Sequence, residues 1–166
     1  MKAEPQKEHH WLQQLVGDWT YEGEAECGPG NPLMKFNGTE SVRSLGGIWV
    51  LAEGKGAMPD GSPATMIMTL GYDTAKQRYL GTWVGSMMTH LWKYDGFMDS
   101  AGKILTLEAE GPDFSSGENK TGGNKLVPYR DVIEVISADH RTLRSQTKKA
   151  DGSWHEFMLA HYRRKT

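Results

Sequence analysis

At Gly17-Asp18-Trp19 the hydrophobic period of the chain changes from that of a helix to that of a strand, and it does not change back. Before the junction, Trp11, Leu12, Leu15 and Val16 recur at helical spacing behind Pro5, which predicts one short helix over 6–16 ending against Gly17. After it, Trp19, Tyr21, Gly23 and Ala25 alternate with Thr20, Glu22, Glu24 and Glu26, which predicts a strand with one wet face. Strand-like runs follow at 39–45, 47–54, 65–72, 78–84, 90–98, 103–110, 126–136, 142–148 and 154–164. Turn pairs such as Asp60-Gly61, Asp73-Thr74, Ala101-Gly102 and Asp151-Gly152 separate them. About ten short strands with no crossover helix between them make an antiparallel meander, and closing it into an up-and-down barrel removes the exposed edges. The expected fold is therefore all-β: one domain over 1–166, with the helix at 6–16 covering the closed end and the barrel at 18–164. A chain of 166 residues can bury about 70% of its unfolded surface, enough for a core without metals or disulfides.

In such a barrel alternate connections lie at the same end. The odd-numbered ones, 27–38, 55–64, 85–89, 111–125 and 149–153, include every long loop, whereas the even ones, 45–47, 73–77, 99–102 and 137–141, are short. The long-loop end is the expected mouth, with Gly111-Pro112-Asp113-Phe114-Ser115-Ser116-Gly117 the most mobile candidate.

Composition excludes several classes of partner. Nineteen basic and twenty-one acidic side chains give a net charge of −2, which argues against nucleic acid and against an anionic membrane surface. Arg163-Arg164-Lys165 reads as the solvated end of the last strand. Cys27 is the only cysteine, so there is no disulfide framework. The first eight residues lack the apolar stretch of a signal peptide, and no run approaches the ~20 apolar residues of a membrane span. A cytoplasmic location is the expectation.

The segment from Trp83 to Trp92 carries the most chemistry. It joins two strands through Ser86-Met87-Met88-Thr89 at the expected mouth, and alternation puts His90, Trp92 and Tyr94 on one face with Lys93 and Asp95 opposite. Aromatics and flexible methionines around a few polar tips suit a small-molecule pocket, although a barrel also fills its interior with large side chains. His90 is open to two readings, a general base or haem ligand, or a polar barrel residue bonded to a neighbour. Arg130 and Glu134 share one face of the 126–136 strand with Val132. An inward Arg130 would suit a ligand carboxylate. Tyr129, Asp131 and Ile133 on the other face are just as mixed, so parity does not settle which face is inside. Glu22, Glu24 and Glu40 read as solvated strand faces. The candidate ligand-binding set is Trp83, Ser86, Met87, His90, Trp92, Tyr129 and Arg130; no catalytic triad, metal cluster or phosphate loop is legible.

Several stretches together resemble a bacterial family of unknown function, DUF1579: Trp11 to Trp19, Leu70-Gly71-Tyr72-Asp73, Gly81 to Trp92, Tyr129 to Glu134, and the closing Tyr162-Arg163-Arg164. The resemblance covers nearly the whole chain and implies no particular activity, cofactor or catalytic residue. The Gly-x-Trp opening and a late arginine are also distantly similar to the calycins, the lipocalins and fatty-acid-binding proteins. Barrel closure independently brings Arg164 of the last strand near Trp19 of the first, a cation–π latch at the base.

The leading reading is a lipocalin-like barrel binding a small hydrophobic ligand through its loop-rich end, with haem one candidate. A second is an enzyme acting on a small hydrophobic substrate through His90 with Tyr129 or Arg130. A third is an interaction module with a filled barrel and a homodimer formed through strand edges.

Overall fold

The computed structural model describes residues 2–114 and 125–166. One helix, α1 (Lys7–Gln13), precedes ten strands: β1 (Gly17–Ala25), β2 (Met34–Leu45), β3 (Trp49–Ala57), β4 (Pro63–Asp73), β5 (Arg78–Gly85), β6 (Trp92–Met98), β7 (Ile104–Pro112), β8 (Leu126–Ser137), β9 (His140–Lys148) and β10 (Trp154–Arg164). Each strand pairs antiparallel with its sequence neighbour, and β1 also pairs with β10, so the barrel is closed and has no free edge. The alternation on β1 is the reason for its register: Trp19 and Tyr21 are buried while Thr20, Glu22 and Glu24 are exposed.

The helix is shorter than the 6–16 expected. Past its cap at Gln14, Leu15 and Val16 donate to carbonyls only three residues back, at 3.1 Å each, which tightens the last turn. α1 lies across the short-turn end: His9 Nε2 is 3.0 Å from the Tyr72 carbonyl oxygen, and the Trp11 indole donates to the Gly102 carbonyl at 2.7 Å. β2 begins earlier than expected, at Met34, because Met34, Phe36 and Gly38 continue the inward parity while Lys35 and Asn37 point out. β6 begins later, at Trp92 rather than at 90, and its ladder to β7 spans only Asp95–Met98. Of the segment expected to be most mobile, Gly111 and Pro112 end β7, and 115–117 lie outside the described residues.

A bulge between Glu156 and Met158 matters for the interior. Unbroken alternation from Tyr162 through Ala160 and Met158 would turn Glu156 into the barrel. The extra residue turns Phe157 inward instead, and Glu156 stays outside on Arg144 at 3.1 Å.

At the base, the Arg164 guanidinium carbon stacks 4.2 Å from the centre of the Trp19 ring, as chain topology predicts. Its nitrogens donate to the carbonyls of Val16 at 2.6 Å, Gln14 at 2.9 Å and Ala138 at 3.0 Å. It thereby caps the exit from α1 and ties it to the β8–β9 turn. Gly17, at φ 137°, leaves room for it: a Cβ there would lie 2.3 Å from Arg164 Nη1. Arg164→Ala should cost about 2–3 kcal/mol, lowering the melting temperature by about 4–12 °C for a chain this long. Ligand binding at the far end should be unchanged, and an equal loss of both would contradict a purely structural latch.

Candidate functional site

The barrel interior is not filled. A cavity of about 460 Å³ runs from the β3–β4 and β5–β6 connections at the long-loop end down to Leu15 beside the helix. Seven of the nine methionines line it, among them Met34, Met58, Met87 and Met158 towards the long-loop end. Deeper in, the walls are Val42, Val50, Leu70, Ile133 and Ala160, with the rings of Tyr21, Tyr94 and Tyr162. Unbranched thioethers around an opening give an apolar surface that adapts to shape, while the β-branched and aromatic floor is stiffer.

Of the residues selected from sequence, Trp83, Met87, Trp92 and Tyr129 line this cavity. Trp83 and Trp92 face each other across β5 and β6, and Trp92 packs edge-on against Tyr129 with ring centres 4.9 Å apart. The Trp92 ring also lies over Gly111, where a Cβ would come within 2.1 Å of it. The Tyr129 hydroxyl donates to the Pro112 carbonyl at 2.6 Å. Ser86, His90 and Arg130 are not among the lining residues. Ser86 is exposed, and its hydroxyl accepts the Thr65 N–H at 3.0 Å, joining the hairpin to β4. His90 sits in a groove on the outer wall with Nε2 2.9 Å from the Glu110 carbonyl oxygen, bridging β6 and β7 where their ladder stops. Arg130 faces outward, stacked 4.2 Å from the centre of the Trp154 ring and donating to Gln146 at 2.5 Å. The strand parity left open at 126–136 thus has Tyr129, Asp131 and Ile133 inside.

The polar groups that reach the interior are ones the sequence did not single out. Glu40, expected on a solvated face, lies inside and accepts a hydrogen bond from Arg141 Nη2 at 2.5 Å. Arg141 is held between aromatics, 4.0 Å from the Tyr162 ring centre and 4.7 Å from that of Trp19. Its Nε has no hydrogen-bond partner among the described residues. Higher on the wall, Asp131 accepts from Tyr94 at 2.5 Å and from Ser145 at 2.6 Å. Burial pushes the Asp131 carboxyl above the ordinary carboxylate range, against the two hydroxyl donors that favour its ionised form. Burial likewise raises the phenols of Tyr94 and Tyr162, with the nearby carboxylates adding to it, so both are neutral at pH 7. Parity with Met34, Phe36 and Val42 was the available signal for Glu40, and parity with Leu143 was the signal for Arg141.

A raised carboxyl makes the folded state the better proton binder, so Asp131 reduces stability as pH rises through the unfolded value of 3.8 towards the folded one. Asp131→Asn removes that charge and keeps one hydroxyl donor on its oxygen, while the other hydroxyl turns to accept from the amide nitrogen. It should raise the melting temperature at pH 7 by about 2–4 °C, the size of a ~1 kcal/mol change, with the gain vanishing near pH 3. A gain that does not vary with pH would mean that ionisation of Asp131 is not its cause.

Among the described residues no cluster of three or more His, Cys, Asp or Glu could hold a metal ion, and no helix is long and apolar enough to cross a membrane. No curated protein matches the chain in sequence. Among solved structures, Rv2717c from M. tuberculosis superposes with a TM-score of 0.66 at 12% identity, covering 98% of this chain and 100% of that one. The S-type phycobiliprotein lyase CPES from Guillardia theta gives 0.61 at 13% identity, covering 98% and 99%. A protein described as EF1p2_mFAP2b bound to DFHBI gives 0.50 at 12% identity, covering 96% and 100%. At these identities the likeness is one of fold. The family model described as "Protein of unknown function (DUF1579)" matches residues 4–164, and the chain belongs to that family.

Proposed function

We propose that this protein binds a small, largely apolar molecule inside the barrel, admitted at the long-loop end. The observation that carries this reading is the cavity itself: about 460 Å³ is within the range of small-molecule sites, roughly 300–1,000 Å³. Its methionine-rich upper wall suits an apolar body of variable shape, and a few polar groups on the lower wall suit a single polar end. That two of the superposing barrels are a lyase named for phycobiliproteins and a protein solved with DFHBI supports a small molecule in a barrel of this shape. His90 and Arg130 are not among the residues lining this cavity, whereas His90 and Tyr129 both line the groove on the outer wall, so an enzyme using His90 with Tyr129 would work in that groove and not inside the barrel.

Trp83 and Trp92 in the wall make the test direct. Fatty acids, aromatic acids and haem, together with neutral long-chain alcohols, are titrated while tryptophan emission is followed, and native mass spectrometry reads what the protein retains from its host. Quenching that saturates at one ligand per chain supports the reading, and the absence of any retained or added ligand would overturn it.

A further inference from the structure

Resting on that reading, we infer that the cavity's ligand carries a basic nitrogen, an amine or amidine head on an apolar body, which pairs with Asp131. Among the described residues three ionisable groups other than tyrosines line the cavity: Glu40, Asp131 and Arg141. Two of them satisfy each other, because Arg141 Nη2 lies 2.5 Å from Glu40 and both side chains are largely buried. The remaining charge is the Asp131 carboxylate. It takes one hydrogen bond on each oxygen, from the hydroxyls of Tyr94 and Ser145, and forms no ion pair with any described residue.

A carboxylate taken out of water without a counter-ion is costly, and two neutral hydroxyl donors offset only part of that cost. Each carboxylate oxygen can accept a second hydrogen bond, and Asp131 is itself one of the cavity-lining residues, so a guest can supply one. The raised carboxyl pKa has the same cause, burial without a positive partner among the described residues. The rings of Tyr94 and Tyr129 also line the cavity, and an aromatic ring can take a cation over its face.

An anionic head is disfavoured by the same geometry. It would need Arg141, whose charge Glu40 already meets, and it would bring a third negative charge beside Glu40 and Asp131. The unpartnered Arg141 Nε offers one further donor, which a neutral acceptor elsewhere on the ligand can use without adding charge.

The experiment compares decylamine, decanol and decanoate at pH 7, each below its micelle concentration, by tryptophan quenching and calorimetry on the full chain. The three share one apolar chain and differ only in the head. A charge-assisted pair in a buried site is worth about 1.5–3 kcal/mol, so decylamine should bind roughly 10- to 100-fold more tightly than decanol, and decanoate more weakly than either. Asp131→Asn, checked for a native melt, should bring decylamine down to the affinity of decanol while leaving decanol unchanged. Binding of decanol with no amine preference, or an amine preference that survives Asp131→Asn, would overturn the inference and leave the cavity reading standing. Failure of all three to bind would overturn both.

Discussion

Removing the Glu40 carboxylate should be among the most destabilising single changes in this barrel. In Glu40→Ala the Arg141 guanidinium, 6% exposed at the side chain, loses its only counter-ion among the described residues, where its Nε also has no partner. An uncompensated buried charge costs about 3–5 kcal/mol, which corresponds to a fall in melting temperature of about 6–20 °C. The rings of Trp19 and Tyr162 hold the guanidinium in place against the cavity wall. The double variant Glu40→Leu with Arg141→Met supplies the contrast. It removes both charges and keeps apolar contact with the same rings, so it should be more stable than Glu40→Ala and close to the parent. Urea or thermal unfolding of the three proteins measures this. A cost below about 1 kcal/mol for Glu40→Ala would mean that cavity water already solvates the pair.

That pair also shows why part of the site was hidden in the sequence. The strands themselves were legible because period-two patterning recurs in run after run from Trp19 onwards, and closure followed from the absence of crossover helices. The Trp19–Arg164 stack was legible because topology alone brings the two residues together. Glu40 was not, because a strand read as starting at 39 contains only Val42 to mark its inner face. With Met34 and Phe36 included, Glu40 falls on the same inward parity. Arg141 was lost in the same way, one residue ahead of a strand read as starting at 142. An offset of five residues at the start of β2 and of two at the start of β9 is small for the fold and decisive for the site.

Asp131 and Arg130 illustrate a different limit. The two faces of β8 are equally mixed, so nothing on the strand says which is inside. The choice is made by partners far away in sequence, Tyr94 and Ser145 for Asp131 and Trp154 and Gln146 for Arg130. In the selected hairpin Trp83 and Trp92 line the cavity while Ser86 and His90 do not, for a related reason. Trp83 and Trp92 sit on ladder positions and keep their alternation, whereas Ser86 and His90 sit between 85 and 92, where no ladder enforces it. The bulge at Glu156 is a third such case, since one inserted residue decides whether a carboxylate or a phenyl ring faces the cavity.

Filling the cavity should abolish binding without unfolding the barrel. Ala52 on β3 lines the chamber between Val42 and Met68, its neighbours across the two ladders. Ala52→Trp would project an indole into space that is now empty, with flexible methionines such as Met66 and Met68 able to move aside. The stability cost of such an insertion into a packed core is typically about 1–3 kcal/mol. Here it should be at the low end or reversed, because the added apolar surface gains contacts in place of a void. A ligand must compete with that ring for the same volume, so affinity for decanol or any other bound member of the panel should fall by at least about 100-fold, some 2.8 kcal/mol. Ala75, in the turn at the helix-covered end, is the control: Ala75→Trp should leave affinity unchanged. Native mass spectrometry and quenching of the remaining tryptophans read the outcome. Undiminished binding in a folded Ala52→Trp protein would place the ligand outside the barrel, and the reading of this cavity as the functional site would then have to be abandoned.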